Sequence, residues 1–416
     1  MRPGWALFVL AAISTCGFID RVIMNVLVHP IKAEFRLTDT QVGLLGGLAF
    51  AVLNVLLGIW VARIAERRRR VSLIGIGTFF WSVATALCAA GSSFATLFLA
   101  RIGVGIGEAV GLPSSQSVIS DYFPKERRTT AISVFMLAPP VGAFLGLTGG
   151  GLIAQEWGWR AAFLIAAAPG FLLSALVLLT VAEPVRGKHD ALGTDADAVP
   201  PLRAVLARMW QRHSFRHLLI GSTVASIAGF GVNLFLTTYF MRRHGFSLAE
   251  AGLTTGLIAS LPAVIGVVGS GWLTDRLARS DARAYATVPG LCMLLTTPLY
   301  ILAVTRDGAG AAIALLGLAT LLQYNYLGPS QGVFQNLMHP RMRATSYAVV
   351  NIAYSLIGAG VGPWLVGALS DHFSPGQGPA AGLMIALALT ALLYLWAALH
   401  FFIARKSIRE ELALPL

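Results

Sequence analysis

Charge is what this chain of 416 residues has least of. Asp, Glu, Lys and Arg make up 12% of it and hydrophobic residues 56%, whereas roughly a quarter of a soluble domain is charged. A soluble globular fold is thereby excluded. Cysteine is scarce as well: Cys16, Cys88 and Cys292 lie in three separate apolar segments without CxxC or Cys/His spacing, which leaves neither a disulfide framework nor a zinc cluster. None of the eight histidines pairs with a Cys or an acid at a ligand spacing. No metal or organic cofactor is therefore expected, and no nucleophile-and-base set points to an enzyme. The tails are short, so a soluble sensor domain is not expected.

What is present is apolar sequence in pieces of bilayer length. About 20 such residues cross a bilayer core, and the pattern predicts twelve spans, at 5–28, 40–62, 72–92, 94–118, 129–153, 160–181, 217–240, 249–271, 285–304, 309–336, 345–369 and 379–403. The first run has no basic region beyond Arg2 and no small-residue cleavage site, so it is expected to remain as a spanning helix. The net charge of +12 raises the question of nucleic acid, but its placement answers otherwise. With the N-terminus inside, most of the 31 Lys and Arg fall in cytoplasmic segments, among them Arg67 to Arg70, Lys125 to Arg128 and the group between Arg203 and Arg216. Positive short loops set orientation. We therefore expect a multi-pass protein of a bacterial-type inner (plasma) membrane, both termini cytoplasmic, with the lipid bilayer and not nucleic acid as its partner.

The longest polar interruption, Glu183 to about Arg216, separates six runs from six. This predicts a bundle over 1–182, a cytoplasmic linker over 183–216 and a second bundle over 217–416. The halves repeat each other. "TDTQVGLLGGL" from Thr38 aligns with "SLAEAGLTTGL" from Ser247 at an offset of 209 residues. Thr38 with Gln41, and Ser247 with Glu250, each fit a capping box, which would satisfy orphan amides at the start of the second helix of each half. At the same offset Glu66, Arg67 and Arg70 fall on Asp275, Arg276 and Arg279. Internal duplication in a twelve-span chain is the mark of secondary transporters.

The acid-Arg-x-x-Arg element after the second span resembles the loop of the major facilitator superfamily, with Glu66 where Asp is usual and Ala62 where Gly is usual. The stretch "RIGVGIGEAVGLPSSQSVISDYFPKERRTTAISVFMLAPPVGAFLGLTGGG", with "FIDRVIMN" and "DTQVGLL", resembles more specifically the spinster branch, through its Gly-Glu-Ala, Asp-Tyr-Phe-Pro and Arg-Arg signatures. The resemblance covers nearly all of the first half and the second more weakly. It implies an all-α fold of two six-helix bundles in which helices one, four, seven and ten line a central cavity.

Four charges lie well inside the predicted spans: Asp20 and Arg21 on helix one, Arg101 and Glu108 on helix four. An ionised side chain at the bilayer centre costs about 2.5–3.5 kcal/mol on insertion scales, so such groups normally face a wet cavity and mark a route for an ion or substrate. On helix one Ser14, Gly17, Arg21 and Asn25 form one small, polar stripe with Asp20 on its flank, and on helix four Arg101, Gly105 and Glu108 share a face. At 1.5 Å per residue Asp20 lies roughly 22 Å from the start of its helix and Arg101 about 10 Å from the opposite surface, so antiparallel helices bring them to similar depth, with Glu108 roughly 10 Å further toward the cytoplasm. The resemblance implies that Asp20 and Glu108 are proton-coupling acids and that Arg21 meets an anionic headgroup; Arg101 is a second cation at that level. Arg stays charged and presents a planar fork suited to phosphate. In the simplest cycle Asp20 pairs with Arg21 and frees it when protonated. The alternative is that the four charges knit helices one and four together as buried ion pairs.

The second half offers uncharged polar and aromatic groups instead: Ser226, Asn233, Phe235 and Thr237 on helix seven, Tyr324 and Tyr326 on helix ten, Tyr347, Asn351 and Tyr354 on helix eleven. They either hydrogen-bond between helices or wall a half-cavity that suits an amphipathic molecule. Glu66, Arg67, Arg70, Asp275 and Arg276 are either a cytoplasmic latch whose pairs break between conformations or plain topology signals. "GVGIG" at 103–107 has no preceding strand and is not read as a nucleotide loop. Gly142, Gly146 and Gly150 allow close helix approach, while Pro139 and Pro140 invite a bend. Trp157 and Trp159 are expected to be interfacial anchors. The whole predicts a monomeric proton-coupled transporter of a small amphipathic anionic substrate, a lysophospholipid or sphingosine-1-phosphate-like lipid. A small organic anion such as a sugar acid, or a drug, is the alternative cargo.

Overall fold

A backbone out of water must satisfy its polar groups within its own segment, which makes helix the form available to these apolar runs. The computed structural model describes residues 3–52, 69–185, 201–339 and 342–413, and these hold helices and no strand. In chain order we label α1 Pro3–Phe35, α2 Asp39–Val52, α3 Arg70–Ala89 and α4 Phe94–Tyr122. Next come α5 and α6, the two arms of Thr130–Thr180, then α7 His213–His244, α8 Leu248–Ala278 and α9 Ala284–Thr305. The last are α10 Ala309–Leu337, α11 Thr345–Gln377 and α12 Pro379–Ala404.

The helix Thr130–Thr180 has 51 residues, about 77 Å at 1.5 Å per residue, more than two bilayer cores. It turns back on itself at Gly158, whose φ of 82° and ψ of 162° are non-helical. The loop expected at 154–159 is thus a single residue, and only glycine takes that φ without strain. With α5 and α6 counted apart, the described helices agree with twelve spans; α2 runs to the edge of the described residues.

Helix starts follow the sequence. At α2 the Gln41 amide donates to Thr38 Oγ1 (3.2 Å) and the Thr38 amide to Gln41 Oε1 (2.9 Å). At α8 the Glu250 amide donates to Ser247 Oγ (3.3 Å) and the Ser247 amide to Glu250 Oε2 (2.8 Å). The repeat seen in the sequence is therefore a repeat of cap geometry.

The chain divides into two compact units, Met1–Asp195 with Phe246–Gly256, and Ala196–Gly245 with Leu257–Leu416. In the first, α1 lies against α5 and α6. A methyl group added at Gly146 would stand 3.1 Å from the Ile19 backbone, so the glycine stripe of α5 serves close packing. One end of this unit is a cluster of Val9, Leu10, Ile13, Val71, Ile74, Val118, Ile119 and Val177. In the second unit α7 packs against α11 and α12, and α9 against α10 and α12. An amphipathic helix, Leu202–Gln211, precedes α7 within what the sequence suggested was linker.

Candidate functional site

Side chains on a helix lean toward its N-terminus, and this decides how the four buried charges meet. Arg21 reaches back along α1 to the level of Gly17, where a Cβ would stand 3.9 Å from Glu108 Cδ. Its Nη2 donates to Glu108 Oε2 at 2.8 Å. Arg101, on antiparallel α4, leans the other way, and its Nη1 donates to the backbone carbonyl of Asp20 at 3.0 Å. The Asp20 carboxylate accepts from Thr85 Oγ1 on α3 at 3.2 Å. The pairing is crosswise: the expected Asp20–Arg21 pair does not form, because adjacent helical residues face different neighbours.

Access to the four is graded. The Arg21 side chain is 38% exposed and that of Glu108 6%; Arg101 is 1% and Asp20 0% exposed. Asp20 Oδ1, Glu108 Oε1, Arg21 Nε and the Nε and Nη2 of Arg101 have no hydrogen-bond partner among the described residues. Aromatic rings complete the surroundings. The Arg21 guanidinium carbon lies 4.9 Å from the Phe18 ring centroid and 4.7 Å from that of Phe50, and Arg101 lies 5.8 Å from Phe50. Such cation–π contacts hold a guanidinium without neutralising it. Gly105 makes room for Phe50: a Cβ there would meet the Phe50 carbonyl at 2.6 Å. Immediately after Glu108 the helix loosens at Ala109 and Val110. Asn25 lies a turn beyond Arg21 and is half-buried. Phe50 and Thr85 are participants the sequence did not reveal, since nothing in α2 or α3 marks them except adjacency in space.

The uncharged candidates of the second unit divide into a buried network and exposed members. Gln323 Oε1 accepts from the hydroxyls of Tyr300 (2.7 Å) and Tyr394 (2.5 Å), whose rings stack at 5.7 Å. Beside it Asn233 Nδ2 donates to the Tyr324 hydroxyl at 3.3 Å, and Tyr326 meets Tyr354 edge-on at 6.2 Å. The helix tightens to a 3-10 turn over Tyr324–Tyr326, and α11 widens to a π turn over Ala353–Ala359. Interruptions of this kind recur at functional sites. Tyr347 is exposed and Asn351 half-buried, while Phe235 is a core residue shut away from any wall. Gln323, the hub, immediately precedes Tyr324 in the chain.

Of the latch residues, Glu66 and Arg67 lie outside the described residues. Arg70 is buried and ties three helix ends together: Nη1 to Asp121 Oδ2 (2.5 Å) and Ser117 Oγ (2.8 Å), Nε to Glu183 Oε1 (2.8 Å). Asp275 accepts from the Tyr285 hydroxyl at 3.0 Å, and Arg276 stacks 5.6 Å from the Trp272 centroid. At the other end of the first unit Trp159 is buried and donates to Glu34 Oε2 (2.6 Å), with Arg160 bidentate on the same carboxylate (2.8 and 2.6 Å). Trp159 is thus no interfacial anchor, whereas Trp157 is exposed as expected. These donors hold the Glu34 carboxyl below its usual range, the Arg160 hydrogen bonds being the largest cause.

Residues 10–363 match the sequence profile of the Major Facilitator Superfamily. The chain is 32% identical over 412 residues to an MFS-type efflux pump of Mycolicibacterium smegmatis, covering 99% of this chain and 95% of that one. It is 27% identical over 377 residues to a sphingosine-1-phosphate transporter of Danio rerio, covering 85% and 73%. A crystal structure of a bacterial homolog of the human lysosomal transporter Spinster, inward-facing and unoccupied, superposes with a TM-score of 0.92 at 29% identity, covering 100% of this chain and 99% of that one.

Proposed function

The chain belongs to the Major Facilitator Superfamily, a multi-pass transporter and not an enzyme, and from that premise we propose that it carries an anionic amphipathic lipid, of the lysophospholipid or sphingosine-1-phosphate kind, by proton-coupled alternating access. The observation that carries this reading is Arg21: a guanidinium 38% exposed, bracketed by the Phe18 and Phe50 rings and backed by Glu108. A planar cation fork fits a phosphate, and apolar rings beside it fit the start of an acyl chain.

The crosswise pairing sets the cycle. Glu108 and the cargo's phosphate compete for Arg21. Protonating Glu108 frees the guanidinium for cargo, and deprotonation restores the pair and favours release. Asp20 and Arg101 form the deeper step. A dry polar atom left unpartnered costs about 1–3 kcal/mol, and Asp20 Oδ1 with two Arg101 nitrogens are in that position. All three gain from the entry of water when the bundle opens, and Asp20 Oδ1 alone can also take a proton. The proton is the coupling ion, with no other cofactor, and the protein works as a monomer in a bacterial plasma membrane, both termini cytoplasmic. The likeness to a sphingosine-1-phosphate transporter supports the lipid class; the likeness to an efflux pump favours export of a drug or small organic anion as the second reading.

The test uses purified protein in liposomes under an imposed pH gradient, with lysolipids and sugar acids offered in turn while internal pH is followed. Lysolipid movement with proton flux is expected. Proton flux with the sugar acids and none with lysolipids would overturn the cargo; lysolipid movement indifferent to pH would overturn the coupling.

A further inference from the structure

The amphipathic helix Leu202–Gln211 carries two apolar stripes where packing needs one. Val205 and Met209 are buried beneath it, while Leu202, Leu206 and Trp210, four residues apart, are exposed. A helix that covers itself on one side and shows Leu and Trp beside arginines on the other has the make-up of an interfacial helix. Its exposed stripe opens onto a groove of about 630 Å³, lined by Leu202, Leu206, Trp210, Leu219 and Val349 with Arg203 and Arg216. Among the described residues no acidic side chain lines it. Leu219 and Arg216 stand in the first two turns of α7 and Val349 in the first turns of α11, so the groove lies where two spans meet the membrane surface.

The arginines are placed to receive an anion. Arg203 is exposed on the helix. Arg216 lies 5.4 Å from the Trp210 ring centroid, and its Nη1 is 3.5 Å from the Trp210 carbonyl, which orients the guanidinium without spending it on a carboxylate. We propose that this groove is a binding site for an anionic phospholipid of the surrounding leaflet. The headgroup phosphate sits between Arg203 and Arg216, and an acyl chain runs along Leu206, Leu219 and Val349. The site shares no residue with the transport site, so the proposal stands apart from the reading of cargo. Charge complementarity selects the occupant: a neutral lipid would leave two cations beside apolar surface unanswered, and a free phosphate would leave the apolar wall uncovered.

The full-length protein is purified from bilayers of mixed phosphatidylglycerol and phosphatidylcholine, and bound lipid is counted by native mass spectrometry. Wild type should retain one phosphatidylglycerol. The pair Arg203→Ala with Arg216→Ala should weaken retention about thirtyfold, since each basic residue near a surface contributes about a factor of five to anionic lipid binding. Leu206→Trp keeps both arginines and fills the groove, so it should also expel the lipid; it stands in should the double variant fail to fold. Millimolar inorganic phosphate should not displace the lipid. Unchanged retention in the folded variants, equal retention of phosphatidylcholine, or displacement by phosphate alone would overturn the site.

Discussion

Both units interrupt a helix at mid-span, and they fill the interruption with opposite chemistry. In the first, α4 loosens just after Glu108, and the groups gathered around it are ions: Asp20, Arg21, Arg101 and Glu108. In the second, α10 tightens just after Gln323, and the groups there are neutral: Gln323, Tyr300, Tyr394, Tyr324 and Asn233. A charge removed from water must be paired or must titrate, whereas a neutral amide needs only partners of the right geometry. Proton dependence therefore belongs with the ions. It should follow the first unit alone, and changes in the second should alter stability and fit without touching the response to pH.

The largest effect expected bears on the structural ions of the first unit. Arg70→Ala removes the guanidinium from the Asp121 and Glu183 carboxylates at one end of the bundle, and breaking a buried pair from one side costs about 3–5 kcal/mol. Thermal unfolding in detergent should show it, and a midpoint close to wild type would mean that these ions are as replaceable as the neutral network. Next comes the coupling itself. One coupled proton supports about a tenfold accumulation ratio per unit of pH gradient. Glu108→Gln and Asp20→Asn should abolish that accumulation in liposomes while cargo still equilibrates, and accumulation as in wild type would erase the contrast between the units. Gln323→Leu sharpens it from the other side. Two tyrosine hydroxyls lose their acceptor, at about 1–3 kcal/mol for buried groups, yet the pH profile of transport should keep its shape; a shifted profile would bring the second unit into proton handling.

The smallest effect is at Glu34. Its carboxyl is held low by Arg160 and Trp159, so its contribution to stability is present above the ordinary carboxylate range and is lost as pH falls through the lowered value. Being exposed and screened by water, the clamp should add only a slight acid-side loss, which Arg160→Ala removes; unfolding scans from neutral to acid pH would show the two curves converging.

Much of this was legible in the sequence, for physical reasons. Apolar length fixes the spans, and Thr38 with Gln41 and Ser247 with Glu250 mark helix starts because the capping box is local. Charges are so costly in a bilayer that Asp20, Arg21, Arg101 and Glu108 identify themselves. What escaped depends on direction and packing. That Arg21 meets Glu108 and not Asp20 follows from the lean of two antiparallel helices. Phe50 and Thr85 are ordinary apolar-run residues until α2 and α3 are set beside α1. Trp159 and Trp157 look alike in sequence, and only the reversal at Gly158 turns one inward to Glu34 and leaves the other out. The helix Leu202–Gln211 was hidden by its polar flanks.

That reversal has a mechanical outcome. Two long rods joined by one residue have no slack, so α5 cannot slide lengthwise without carrying α6 by the same amount in the same direction. Bending at Gly158 is cheap, stretching is not, and any movement of one of these helices relative to the other must be a scissoring about that point.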